Sequence, residues 1–377
     1  MEFRIDRDVF AAALGKLQGV VDRKTSQAVL SNVLIQSAGG ASLRLAATDL
    51  DVTLLGGYAA EILTEGAVCI PAKSLYEIVR ALPPGPVNVK SAANHYVEIR
   101  SGQVDYKIVG EAAEKFPSLP SADDVKGFAT PRAALMELID ATLFSVSTDD
   151  TRPNLNGALV KAAGQGRLMF VSTDGHRLSK AVRPVDADLS SLPPAGVIIP
   201  RKGLHEVRRA LDDTGDTVFV GLQGNNAVFR SEREVLFVRL IDGAFPDFES
   251  VIRKNDTWLQ AVVERLALLD ALRRVSLVST ERTRGVRVNL VRDAMDIATS
   301  NPDVGEAHER LPIEVAREGT LNGEGIEVGY NARYVMEALS ALSSDEVLYE
   351  TKDASSPTII RNRGEEDSFY VVMPMRF

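Results

Sequence analysis

One cysteine, one tryptophan and four histidines in 377 residues leave little material for the chemistries that depend on them. Cys69 stands alone, which excludes an internal disulfide and any multi-cysteine metal site, and its apolar surroundings "AVCIP" read as core. The histidines, at 95, 176, 205 and 308, form no HExxH and no cluster with carboxylates at metal-binding spacing. GxSxG and GxxxxGK are missing too, and "GEGIEVG" (323–329) spaces its glycines wrongly for a dinucleotide loop. A nucleotide-binding enzyme is therefore poorly supported. No run approaches the roughly 20 apolar residues of a membrane helix. The start "MEFRIDRDVF" lacks the basic-then-apolar order of a secretory signal, so a cytoplasmic location away from any membrane is expected, and the acceptor pattern at Asn255 carries no meaning. Formal charge is -9, which taken whole disfavours a nucleic-acid partner but says nothing of where the charges lie.

What the chain does have is internal repetition. "STDGHRLS" (172–179) is matched upstream by "ATDLDVTL" (47–54) and more faintly downstream by "ATSNPDVG" (298–305), placing Asp49, Asp174 and Asn301 at steps of 125 and 127. "IPAKSLYEIVRAL", "IPRKGLHEVRRAL" and "NARYVMEALSAL" set Leu82, Leu211 and Leu342 at 129 and 131. Pro117, Pro246 and Pro374 follow at 129 and 128. Landmarks in constant order at constant spacing predict three copies of one unit, with domains at 1–121, 128–248 and 249–377.

Each copy reads as helix, strands, helix, strands. Phe10, Leu14, Leu17 and Val21 keep helical spacing behind a capping Asp6, and "RAALMELIDATLF" and "ERLALLDALRRV" are the later equivalents. Short β-rich runs such as "SLRLAATD", "RLMFVSTD" and "VLFVRLID" predict strands. The expectation is α+β, each repeated domain packing two helices on antiparallel sheet.

Two groups of polar residues invite functional readings. On "IPRKGLHEVRRAL", Arg201, Lys202, His205, Arg208 and Arg209 share the side opposite Leu204. Arg265, Arg273 and Arg274, and Arg7, Lys16, Arg23, Lys24, Lys73 and Arg80, extend the basic pattern, whereas Glu137 and Asp140 interrupt it. Solvated faces balancing acidic neighbours account for most such stripes in an arbitrary protein. The second group is Asp174, His176 and Arg177. A catalytic role needs an oriented imidazole beside a nucleophile or metal, with Ser172 or Thr173 to be nominated. Asp174 recurs as Asp49 where no histidine follows, so a turn-capping role is expected for it. A sequence-specific regulator would need a reading helix or arm in a basic domain, and none stands out.

The threefold repeat with "TDGHRL", "IPRKG", "DGAFPDF", "RGVRV" and "YVVMPMR" resembles, over essentially the whole chain, the bacterial β sliding clamp family, processivity subunits of the replicative DNA polymerase. The resemblance implies a DNA clamp fold, a head-to-tail homodimer closing a six-domain ring, and duplex DNA threaded through it without sequence preference. It implies no cofactor, no metal and no catalytic residue. DNA-facing positions would be Arg23, Lys24, Lys73, Arg80, Arg201 and Lys202, with Pro153 and Asn154 where some clamps carry aromatics beside "LNG". One wall of a peptide groove would be Thr173, Gly175, His176, Arg177 and Leu178, with Leu155, Pro246 and Val251 nearby. Asn331, Tyr334, Val371, Val372, Met373, Pro374, Met375 and Arg376 would complete it. Its partners would be the polymerase α subunit, the clamp-loader δ subunit, repair polymerases and other proteins carrying short motifs with a glutamine and bulky apolar residues. Subunit contacts would involve Tyr106 and Ile108 on one side and Leu277 and Val278 on the other, although local core packing explains such residues as well. A paralogue specialised for repair or drug tolerance would share every one of these motifs.

Overall fold

Asp6 starts the first helix as its position predicts. Its carboxylate accepts from the backbone N–H groups of Asp8 (2.9 Å) and Val9 (3.2 Å), two donors that a helix start leaves without intrahelical partners. Glu264 does the same for Leu266 and Ala267, and Asn331 for Arg333. The computed structural model describes residues 1–21, 27–92, 94–211, 215–252, 258–280, 284–319 and 325–376. Among them are six α-helices: α1 (Arg7–Val20), α2 (Ala72–Ala81), α3 (Arg132–Thr142), α4 (Arg201–Ala210), α5 (Arg265–Ser276) and α6 (Ala332–Ala341). Each follows directly on a strand, and the element order repeats along the chain as expected.

Contacts divide the chain into two units. The first comprises Met1–Met136, Val185–Pro193 and Ile199–Leu240, and the second Glu137–Pro184, Pro194–Ile198 and Ile241–Phe377. In the first unit, strand Val52–Ala59 pairs antiparallel with Glu234–Arg239, Leu54 facing Leu236, within an eight-stranded sheet. A five-stranded sheet ends on the strand Val104–Val109. In the second unit the corresponding pairing joins Arg177–Pro184 to Phe369–Val372, with Leu178 facing Val371, and a four-stranded sheet ends on Gly305–Pro312. The apolar face read from the sequence is buried: Phe10, Leu14 and Leu17 lie inside with Val21 just past the end of α1, joined by Ala13 and Val20, and α5 buries Leu268, Leu269, Leu272 and Val275. Each buried Phe, Leu or Val side chain contributes about 1.5–3 kcal/mol of burial free energy. Cys69 is buried, and burial pushes its thiol up to about 12, so it is inert core.

The core of the second unit also contains polar groups. Glu350, fully buried, accepts from Arg361 (3.0 and 3.3 Å) and from Gln260 (2.7 Å). Beside it, Tyr349 donates to the hydroxyl of Tyr330 at 2.5 Å, and Tyr330 bonds Thr358. Burial raises the Tyr330 phenol to about 12, which keeps it a neutral donor. These bonds tie strands Ile326–Asn331, Glu346–Thr351 and Thr358–Asn362 together directly behind the chain's last strand.

Candidate functional site

The turn at Thr173–Arg177 is built by its own side chains. Thr173 Oγ1 donates to the Arg177 carbonyl (2.6 Å) and accepts from Gly175 N (3.1 Å). Asp174 Oδ1 accepts from His176 N (2.9 Å) and Arg177 N (3.0 Å). The first repeat makes the same set: Thr48 to Val52 O (3.1 Å), Leu50 N to Thr48 (3.0 Å), and Asp51 N and Val52 N to Asp49 (3.0 and 2.6 Å). The third copy keeps one of these bonds, Asp303 N to Asn301 (3.1 Å), in a turn one residue longer, Ser300 facing Glu306 where Thr173 faces Leu178. Asp174 therefore caps a turn, as its recurrence predicted. The third turn residue has positive φ in both full copies, 89° at Gly175 and 77° at Leu50, and only the glycine takes it without strain.

Beyond the shared turn the copies diverge. Arg177 occupies the place of Val52, and it is buried to 9% exposure. Its Nε donates to Asp174 (3.0 Å), and the rest of the guanidinium bonds the Glu337 carboxylate and the Phe144 carbonyl. The same group lies 4.5 Å from the ring centre of Tyr334 and 5.4 Å from that of Phe144. His176, exposed, stacks on the other part of this surface, its ring 6.5 Å from Tyr334 at an interplanar angle of 17°. Glu337 also accepts from Arg333 (2.8 Å); burial alone would raise its carboxyl, but the hydrogen bonds from Arg333 and Arg177 outweigh it and leave it below the usual range.

The C-terminal segment is seated against this turn through its main chain. Met373 N donates to His176 O (2.9 Å) and Met375 N to Gly329 O (2.8 Å), while Pro374 between them has no donor to give. Met373, Pro374 and Met375 are half-buried and Arg376 is exposed. Val371 and Val372 are each 1% exposed, one in the core on either face of the sheet, so they position this segment rather than line its surface. Leu155 and Leu178 are buried as well, and Pro246 is exposed. Next to Leu155, Asn154 donates to Ala244 O (3.1 Å), two residues before Pro246. Asn331 spends its side chain capping α6. Val251 lies in the short turn Glu249–Ile252.

Three residues at this site escaped the sequence reading. Arg152 donates to Asp174 O (3.3 Å) and to Asp149 (3.1 Å), close enough to Gly175 that a Cβ there would sit 2.9 Å from its guanidinium. Phe144 supplies a carbonyl and a ring, and neither follows from helical spacing. Glu337 did leave a signal: it repeats as Glu77 and Glu206, each four residues after a Lys or Arg. On its other side Glu337 lines, with Glu137, Asp140, Phe144 and Arg183, an open cavity of about 590 Å3.

The expected basic face of α4 is only partly available to an external anion. Lys202 bonds the Asp49 carboxylate and Val20 O, and Arg209 bonds Glu206 and the Lys16 carbonyl. Arg201 and His205 are exposed. Partial burial lowers the His205 imidazole, and the adjacent Arg201 and Arg209 lower it further, a sign of positive potential along this helix. On α2, Lys73 and Arg80 are exposed, with Lys73 3.8 Å from Glu77. Arg23 and Lys24 lie outside the described residues. Tyr106 is exposed and Ile108 half-buried on the edge strand Val104–Val109 of the first unit. In the second unit Leu277, just past α5, is 81% exposed and Val278 is half-buried.

Family models for the DNA polymerase III beta subunit match the chain three times in succession: the N-terminal domain at 1–120, the central domain at 129–247 and the C-terminal domain at 250–376. Beta sliding clamps of Caulobacter vibrioides and Escherichia coli are 32% and 33% identical to it over the full length of both chains. Among solved structures, a beta sliding clamp from Caulobacter crescentus superposes with a TM-score of 0.91 at 31% identity, covering all of both chains. A DnaN sliding clamp from Bartonella birtlesii, solved bound to griselimycin, gives 0.91 at 32%, again over both whole chains. Three consecutive domain matches and relatives aligned end to end leave one conclusion: the chain belongs to the DNA polymerase III beta subunit family, the bacterial sliding clamps.

Proposed function

We propose that this chain works as a clamp through three surfaces: a peptide groove at the Thr173–Leu178 turn and the C-terminal segment, basic helix faces toward DNA, and two unlike edges that join subunits. Sliding clamps are non-catalytic processivity subunits that encircle duplex DNA as dimers and tether polymerases and other partners by short peptides. Domain limits of 1–121, 128–248 and 249–377, and action in the cytoplasm, belong to the same reading.

The observation that carries the groove is the bond from Met373 N to His176 O. It places a Met-Pro-Met segment beside the His176–Tyr334 stack, and methionine adapts to several aliphatic and aromatic side chains, so one surface can serve several partners. Exposed Lys73, Arg80 and Arg201 supply the DNA face, together with Lys202 where phosphate displaces Asp49. Exposed Tyr106 with Ile108, and Leu277 with Val278, are the complementary apolar edges that a head-to-tail contact requires. Deleting Met373–Phe377 tests the groove: binding of a labelled clamp-motif peptide should vanish while the dimer persists on a sizing column. Retained micromolar binding would refute it.

A further inference from the structure

Among the described residues the backbone pattern of the groove occurs twice, and the two copies carry different side chains on it. In the first unit Arg239 N donates to Asp51 O (2.7 Å), the exact counterpart of Met373 N to His176 O, and Val238 pairs with Val52 as Val372 pairs with Arg177. The helices also correspond: α4 begins Arg201-Lys202-Gly203 where α6 begins Ala332-Arg333-Tyr334, and Glu206 stands in the place of Glu337. The two differ at a few positions. Gly203 lets α4 press onto Val238, whose methyl carbon lies 2.2 Å from where a Cβ on Gly203 would be. Tyr334 carries a ring where Gly203 has no side chain, and Arg177 lies over that ring. Glu206 turns to Arg209, whereas Glu337 turns to Arg177 and Arg333.

From this comparison we infer that Glu337 is a positioning residue for partner binding: it anchors Arg177 over Tyr334 and so fixes the His176–Tyr334 wall against which the partner peptide packs. The inference rests on the groove reading above. A competing account holds that Glu337 merely repeats the helix pair of Lys73 with Glu77. That pair has both side chains more than half exposed, where water screens it and it contributes little. Glu337 differs because its second partner is the nearly buried Arg177, held at the same time by Asp174 and the Phe144 carbonyl. A charge so enclosed cannot lose one acceptor without moving.

The probe is a fluorescein-labelled peptide Gln-Leu-Ser-Leu-Phe titrated against the full-length protein by anisotropy. Glu337→Ala should weaken it about tenfold, chiefly through faster dissociation, and Glu337→Gln about threefold, with retention on circular DNA unchanged in both. Arg177→Lys keeps the charge but loses the fork, and should weaken binding about tenfold. Combined with Glu337→Gln it should be no worse than alone, because both act through one contact. Arg333→Ala, which leaves the Arg177 contact in place, should change binding less than twofold. Wild-type affinity in Glu337→Ala, or strictly multiplicative losses in the double variant, would overturn the inference while leaving the groove standing. Failure of the unaltered protein to bind the peptide would instead remove the groove itself.

Discussion

At the residue scale, Asp174 and His176 illustrate how a repeat separates structural from functional groups. Asp174 has a counterpart in Asp49 that makes the same backbone bonds, so its job is to hold a turn. Replacing Asp174 with Ala should weaken peptide binding, since Arg177 loses its Nε acceptor, whereas Asp49→Ala should not; matched anisotropy titrations would decide between them. The pH dependence follows from Glu337. Its carboxyl is held below the ordinary value, so its contribution is present throughout the neutral range and above the unfolded-state pKa, and is lost only as pH falls through the depressed folded value. Peptide affinity in the wild type should therefore stay flat from pH 8 to about 5, and a decline that sets in across the neutral range would contradict this role for Glu337. Asp174 was legible because it recurs as Asp49, whereas Gly175 to Leu178, which do not recur, were singled out as groove residues only through the family resemblance. Arg152 and Phe144 were not, because a contact made by a loop guanidinium or a backbone carbonyl leaves no periodic trace.

At the element scale, the start of α1 at Asp6, the runs that form strands and an apolar face on α1 could be read directly, since period and capping chemistry are local. What could not be read was which basic side chains remain available. Helical spacing put Lys202 and Arg209 on one stripe with Arg201, but Asp49, brought near only by the fold, takes up Lys202, and Glu206, three residues before Arg209 on the same helix, takes up Arg209. Arg201→Glu should accordingly reduce DNA retention more than Lys202→Glu, measured as half-life on a nicked circle at fixed salt; the reverse order would misplace the DNA face. The buried pair of Arg361 and Glu350 gives a stability prediction. Arg361→Met would take from Glu350, at 0% exposure, the guanidinium that bonds both its oxygens, and should cost about 3–5 kcal/mol in the stability of that region, visible as an early thermal transition. For the subunit edge, changing Leu277 and Val278 together to Ser should yield monomers on a sizing column.

At the scale of the whole molecule, a formal charge of -9 and a DNA partner are compatible when adhesion is not what holds the two together. Phosphate contacts from a few arginines and lysines give salt-sensitive, sequence-independent affinity and allow sliding. The family's dimeric ring supplies what affinity does not. That conclusion came from joint order and spacing of motifs across the chain rather than from any single residue, which is why length and repetition were more informative here than composition. The decisive measurement is retention of the labelled protein, after loading, on nicked circular DNA before and after a single restriction cut. Loss from the linear form within the time for sliding to an end, with stable retention on the circle, is the predicted result; equal lifetimes on both forms would contradict it.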